Sequence, residues 1–239
     1  MHPIVSVCLF VLSSLIAGAA AAGPWPRAPG EVFATLSREI RDGGNWDALY
    51  AEYGLSERYT VVLDAGRDEH GGWRAIVALR RPVWQSGAQR VAVSFGLGLE
   101  RPKDGDLPPD GVLSSLALAG LAPLDSTVYP VVQTGLAWGM GFDTARGPGW
   151  ATVEASYRQV LDIDREERKL DATLGLNLRE TRAVYGQIQY SDPRVVTPQI
   201  RLGLGWVEHF GPVAIEAGVG KHLRQDREVD AKIGLWIRF

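Results

Sequence analysis

The feature that most limits the fold of this chain is a two-residue alternation of apolar with small or polar side chains. It is clearest in the last segment, 231–239. One face of this segment would carry Ala231, Ile233, Leu235, Ile237 and Phe239, and the other Lys232, Gly234, Trp236 and Arg238. A period of two is that of a β-strand whose two faces meet different surroundings. Because similar segments recur at 90–100, 169–178, 199–206 and 213–220, the sequence predicts an all-β protein.

A soluble β-sandwich also alternates, but three features argue against it. The alternating segments run for roughly nine to thirteen residues, whereas strands are usually about five or six residues long. Their polar faces combine many glycines with full charges. Aromatic residues stand near the segment ends, as in the girdles of a membrane barrel: Tyr59, Trp73, Trp84, Trp150, Tyr190 and Trp206.

Composition excludes several other classes of protein. The 239 residues carry a net charge of −3, which gives no strong attraction to nucleic acid. After the N-terminal stretch no apolar run is long enough for a membrane-spanning helix. Cys8, the only cysteine, lies inside that stretch, so a disulfide framework, a thiolate metal site and a cysteine nucleophile are not expected.

Residues 1–22 have the pattern of a cleaved signal peptide. An apolar core at 4–16 runs into the small residues Ala20, Ala21 and Ala22, which fit the small-x-small cleavage pattern. The usual Lys or Arg near the start is missing, and a single membrane anchor is the alternative. We therefore expect residues 23–239 to form the exported domain.

An exported chain of alternating strands that ends on phenylalanine resembles the β-barrel proteins of the outer membrane of Gram-negative proteobacteria. Ile233, Leu235, Ile237 and Phe239 match the C-terminal motif that the barrel assembly machinery reads in that class. The resemblance implies a transmembrane, antiparallel, up-and-down β-barrel in the bacterial outer membrane. Its partners would be outer-membrane lipid, lipopolysaccharide and that machinery. No functional subfamily is identified.

The alternating segments predict 12 strands, with 10 or 14 as alternatives. They cover residues 31–39, 46–54, 58–67, 72–84, 89–100, 129–142, 150–160, 167–178, 181–190, 197–207, 212–222 and 229–239. An even number implies that both termini are periplasmic. The periplasmic turns would be 55–57, 85–88, 143–149, 179–180 and 208–211, and the outer loops would include 101–128, 161–166 and 223–228.

The longest loop, 101–128, contains an apolar run after a proline-rich start. Val112, Leu113, Leu116 and Leu121 have helical spacing, which predicts one short helix within 112–121. A further membrane strand is the alternative, and it would change the strand count.

Strand parity places seven basic and six acidic side chains on the inward face: Arg74, Arg80, Arg90, Arg158, Lys169, Arg201 and Lys232, with Glu52, Asp64, Glu100, Glu154, Asp171 and Glu216. An outward charge would cost about 2–4 kcal/mol at mid-bilayer. The inward charges either pair and fill the lumen or line a narrow, weakly selective channel for a small solute.

The sequence therefore predicts a small passive pore or transporter, or a structural barrel. A rim-active outer-membrane enzyme, either a lipid hydrolase or a lipid A-modifying enzyme, is one alternative. Its candidate catalytic residues are His70 and His222, with Asp68 or Glu69 nearby. A surface-binding barrel that uses 101–128 is another. No known hydrolase, protease or acyltransferase motif is present, and neither a cofactor nor a metal is expected.

Deleting Phe239 should impair assembly, because the terminal strand must both close the barrel and be recognised. We expect a smaller heat-modifiable folded fraction on a gel of outer-membrane preparations. A deletion variant that folds at the wild-type level would contradict the predicted role of the C-terminal strand.

Overall fold

A computed structural model describes residues 23–102, 128–161, 163, 165–193, 197–223 and 228–239. Within this part of the chain, twelve strands pair in sequence order and β1 pairs with β12, which closes a barrel. The strands are β1 (Val32–Ile40), β2 (Trp46–Ser56), β3 (Tyr59–Asp68), β4 (Trp73–Ser86), β5 (Gln89–Arg101), β6 (Tyr129–Thr144), β7 (Gly147–Val160), β8 (Arg165–Arg179), β9 (Arg182–Pro193), β10 (Gln199–Phe210), β11 (Val213–His222) and β12 (Val229–Arg238).

The predicted all-β barrel of twelve antiparallel strands is confirmed, and the alternatives of 10 and 14 strands are wrong. Closure extends to the last residue, because Val32 N donates to Phe239 O at 2.7 Å and Phe239 N donates to Val32 O at 3.1 Å. We call the end of the barrel that carries Val32 and Phe239 the terminus end. The other end is the opposite end.

Four of the five turns at the terminus end are tighter than predicted, and the fifth, between β8 and β9, has the predicted length of two residues. Between β6 and β7 the sequence predicted a turn at 143–149, but Thr144 already pairs with Gly147 across a two-residue turn. The Thr144 hydroxyl donates to Gly147 O at 2.8 Å and accepts from Arg146 N at 3.1 Å. These local bonds allow β6 and β7 to extend closer to the turn than the hydrophobic alternation predicted.

The two faces of the wall differ as the alternation predicts. Leu36, Leu97 and Leu204 project outward and are 58%, 58% and 67% exposed. Their neighbours on the inner face are small or polar, such as Gly203. A continuous belt of exposed aliphatic side chains around a closed barrel needs an apolar environment.

The placement of Trp150 in an outer aromatic girdle was wrong. Its side chain is buried inside the barrel, where it packs with Ala183, Val207 and Ala214. Parity explains the difference, because Trp150 is in phase with Glu154 on β7 and therefore shares its inward face. Trp84 and Trp206 do lie exposed on the outer face.

No helix among the described residues is long and apolar enough to cross a membrane. The element predicted within 112–121 lies outside the described residues.

Changing Leu204 to Arg should lower the folded fraction much more than changing Gly203 to Ser. The arginine would place a charge on the apolar face at a cost of about 2–4 kcal/mol in mid-bilayer. A Cβ at Gly203 would meet Arg201 Nη1 at 3.3 Å, the far end of a flexible side chain. Heat modifiability after refolding into lipid vesicles measures both variants, and equal tolerance would refute the assignment of the faces.

Candidate functional site

Three cavities follow one another along the inside of the barrel. The central cavity is about 450 Å³, and it shares Arg74, Arg158 and Glu167 with a mouth cavity of about 440 Å³ at the opposite end. At the terminus end, a third cavity of about 470 Å³ shares Trp150 with the central one. The lumen therefore contains a line of cavities rather than a filled core.

Nine of the thirteen charged residues predicted from parity line the central cavity: Asp64, Arg74, Arg80, Glu154, Arg158, Lys169, Asp171, Glu216 and Lys232. Glu100 lines the mouth cavity, and Arg90 lines the cavity at the terminus end. Glu52 and Arg201 are buried in ion pairs.

The sequence did not predict that residues 23–31, here called the N-terminal segment, begin inside the barrel, where Gly23, Pro24 and Arg27 are buried. Arg80 Nη1 donates to Gly23 O at 2.8 Å. The backbone N–H of Arg27 donates to Thr60 Oγ1 at 3.2 Å, and its guanidinium stands over the ring of Phe33 at 4.6 Å. The segment therefore narrows the lumen at the terminus end.

Two inward glycines make room for this segment. A Cβ on Gly54 would lie 1.9 Å from Ala28 O, and a Cβ on Gly139 would lie 2.6 Å from the Trp25 ring. Trp25 also packs against the cluster around Trp150. The segment thus contacts strands on both sides of the barrel.

Glu52 is the centre of the ion-pair network that holds the segment. It is 1% exposed, and its two carboxylate oxygens each accept a 2.5 Å bond, one from Arg27 Nε and one from Arg80 Nη1. The Tyr50 hydroxyl also donates to Glu52. A carboxylate buried this deeply is tolerated because two guanidinium groups replace its water.

Most other inward cations contact carboxylates at the wall, and some of them share one. Arg201 makes a bidentate pair with Asp230, with bonds of 2.6 to 2.9 Å. Lys232 lies 2.9 Å from Glu216. The remaining pairs are Arg158 with Glu100 and Glu167, Lys169 with Glu167, Arg165 with Glu100, and Arg74 with Asp64.

Glu154 and Asp171 differ from these groups. They are register partners on β7 and β8, and both line the central cavity. Within the described part of the chain, neither carboxylate makes a hydrogen bond or an ion pair. Like charges directly opposite each other repel, and a cation between these two carboxylates would relieve that repulsion.

Among the described residues, neither of the two candidate histidines is hydrogen-bonded to a nucleophile. His222 is buried and lines the mouth cavity, but neither of its ring nitrogens has a hydrogen-bond partner among the described residues. His70 lies at an exposed hairpin tip, where its backbone N–H donates to Asp68 Oδ1 at 2.8 Å. A Ser–His mechanism needs a base bonded to its nucleophile.

Several charged residues of the lumen were missed from sequence. Three of them, Glu39, Glu167 and Asp230, have inward parity, so the alternation could have predicted that they face the lumen. Arg27 precedes the first strand, so parity could not place it. In the described residues, no group of three or more potential metal ligands comes together.

Comparisons with known proteins identify the fold but no family. No protein-family model matches the chain, and no curated protein matches it. Among solved structures, the chain is similar to KdgM porin, with a TM-score of 0.59 and 9% identity over 87% of this chain and 99% of that chain. NanC porin gives a TM-score of 0.57 and 8% identity over 86% and 100% of the two chains.

LpxR from Salmonella typhimurium is also similar, with a TM-score of 0.52 and 8% identity over 87% of this chain and 100% of that chain. The chain has the closed β-barrel fold of these bacterial outer-membrane proteins. The fold implied by the sequence resemblance is thus confirmed.

Changing Glu52 to Gln should destabilise the barrel by about 3–5 kcal/mol, because it removes the one carboxylate that contacts two buried guanidinium groups. Asp64→Asn is the matched control. Its carboxylate is 37% exposed and lies 3.9 Å from Arg74, so its loss should cost about 1 kcal/mol or less. Urea unfolding of the refolded barrel measures both, and equal midpoints would contradict the network.

Proposed function

We propose that this protein is an integral barrel of the bacterial outer membrane and works as a narrow passive pore for small polar solutes, preferring cations. The observation that carries this function is the line of three cavities inside the barrel, each of which charged side chains help to line. A purely structural barrel would fill its interior with apolar side chains, or with charges that all find partners.

The outward face supports the membrane location. Its exposed aliphatic side chains form a belt that water would not favour, and the aromatic residues Trp84 and Trp206 lie exposed beside it. The five tight turns lie at the terminus end, as short periplasmic turns do in outer-membrane barrels. We therefore infer that the termini are periplasmic, and that residues 1–22 are the signal peptide that exports the chain.

The N-terminal segment sets the size limit of the pore. Trp25 and Arg27 line the terminus-end cavity together with Arg90 and Trp150. Only a small solute would pass between these groups while the Arg27–Glu52 bond holds the segment in place.

Glu154 and Asp171 set the preference for charge. Each cation that lines the same cavity contacts a carboxylate, which some of them share, whereas these two carboxylates contact no cation among the described residues. A ring or pair of acidic side chains in a narrow passage favours cations over anions. One solved KdgM porin structure is a complex with an oligogalacturonate. We do not propose that solute here, because unpaired carboxylates would repel a polyanion.

The alternatives receive less support. The mouth cavity contains His222, but no nucleophile is bonded to it. The surface-binding role depends on 101–128, most of which lies outside the described residues.

Planar-bilayer recording tests the pore directly. The wild-type barrel should give small single-channel current steps. Under a salt gradient, its reversal potential should have the sign of a cation-selective pore. The double variant Glu154→Gln, Asp171→Asn should move that potential toward zero, because it removes both unpaired carboxylates while keeping their volume.

Glu208→Gln is the matched control, because its carboxylate pairs with Arg182 at 2.8 Å near the terminus end and does not line the central cavity. It should leave the reversal potential unchanged. A folded wild-type barrel that gives no conductance would overturn the pore. An unchanged potential in the double variant would overturn the role of the two carboxylates.

A further inference from the structure

A cluster of charged residues lies on the outward face of the barrel near its opposite end. Arg38, Asp47, Arg67 and Trp73 are successive register partners across β1, β2, β3 and β4. They have the parity of the lipid-facing residues rather than that of the lumen. We call these four residues the outer cationic row.

Asp47 draws the two arginines together. Its carboxylate accepts from Arg38 Nε at 2.7 Å and from Arg38 Nη2 at 3.0 Å, and from Arg67 Nε at 3.4 Å. The Arg38 and Arg67 side chains remain 53% and 74% exposed. Two guanidinium groups thus share one carboxylate, so their two positive charges exceed the single charge of Asp47. Arg38 Nη1 and the Nη groups of Arg67 make no hydrogen bond to a described residue, and they remain available to a further anion. The nearby carboxylate of Glu69 accepts a bond from Asn45 at 2.9 Å and keeps its negative charge.

The next outward positions toward the terminus end are all apolar. Leu36, Leu49, Ala65 and Ala75 are again successive register partners on the same four strands. The two alanines leave a depression between larger neighbours, and a groove of about 850 Å³ runs there. Leu36, Leu49 and Leu235 line it together with the residues of the outer cationic row. Its volume is within the range of about 300–1,000 Å³ that buries most of a drug-sized ligand.

The groove and the outer cationic row therefore fit the two parts of one ligand. An anionic headgroup would meet the two arginines, and an acyl chain would lie in the apolar groove below it. An exposed guanidinium at the edge of hydrocarbon is costly without a counterion, and a phosphate offers arginine a bidentate partner.

We propose that the outer cationic row and its groove form a binding site for lipopolysaccharide. A phosphate of its lipid A lies between Arg38 and Arg67, and an acyl chain fills the groove lined by Leu36, Ala65 and Ala75. The site rests on the membrane orientation proposed above, in which the opposite end faces the outer leaflet. It does not depend on whether the lumen conducts.

Native mass spectrometry of the detergent-solubilised barrel with added lipid A tests the site. The wild type should retain lipid A, and the variant Arg38→Gln, Arg67→Gln should bind it about tenfold more weakly or worse, because charge-assisted bonds to the phosphate are lost. Ala65→Phe should also weaken binding by occupying the groove. Heat modifiability should show that all variants are folded.

Arg168→Gln with Lys221→Gln is the matched control. Both side chains are outward cations near the same end, on β8 and β11, away from the groove, and their loss should leave lipid A binding unchanged. Equal weakening by the control pair would overturn a defined site and indicate a general charge effect.

Dephosphorylated lipid A and phosphatidylglycerol identify the occupant. Dephosphorylated lipid A should bind as weakly to wild type as lipid A binds to the double arginine variant. Phosphatidylglycerol should be retained less well than lipid A. If phosphatidylglycerol binds as strongly, the proposed glycolipid is wrong. If lipid A binding fails while the barrel still conducts, this site falls and the pore stands.

Discussion

In this barrel, charged side chains cannot face the hydrocarbon outside the wall without a large cost, so the lumen inside the wall must accommodate them. Twelve strands enclose a lumen only wide enough for side chains and small cavities. Inside it, each guanidinium or carboxylate loses part of its water, and a nearby opposite charge is the main compensation. The contacts of Glu52 with Arg27 and Arg80, and of Arg201 with Asp230, show how this requirement shapes the interior.

Much of the architecture could be predicted from sequence, because a period of two both marks a strand and assigns its faces. The twelve strands and the inward parity of Glu167 and Asp230 follow from that single signal. The pattern does not say which inward charges neutralise one another, since ion pairs cross between strands. The alternation also does not place Arg27. Its contact with Glu52 is fixed only once the chain has closed around the N-terminal segment.

The sequence predicted which charged residues belong to the candidate site, but not which of them contact one another. Parity gave seven basic and six acidic inward residues, which indicates a nearly neutral lumen. The structure shows that the charges are distributed unevenly. Each cation that lines the central cavity contacts a carboxylate, whereas Glu154 and Asp171 face each other without such a contact among the described residues. A total of the inward charges does not reveal this local difference.

The N-terminal segment also divides the barrel mechanically. Its Arg27 contacts β2 and β3, where Thr60 accepts from the Arg27 backbone, and its Gly23 accepts from Arg80 on β4. Trp25 reaches the far wall, so the segment acts as a brace across one mouth. No such crossing piece is seen among the described residues at the other mouth. The braced rim is therefore held by contacts that cross the lumen, and amide hydrogen exchange should be slow in the terminus-end half of β2, β3 and β4.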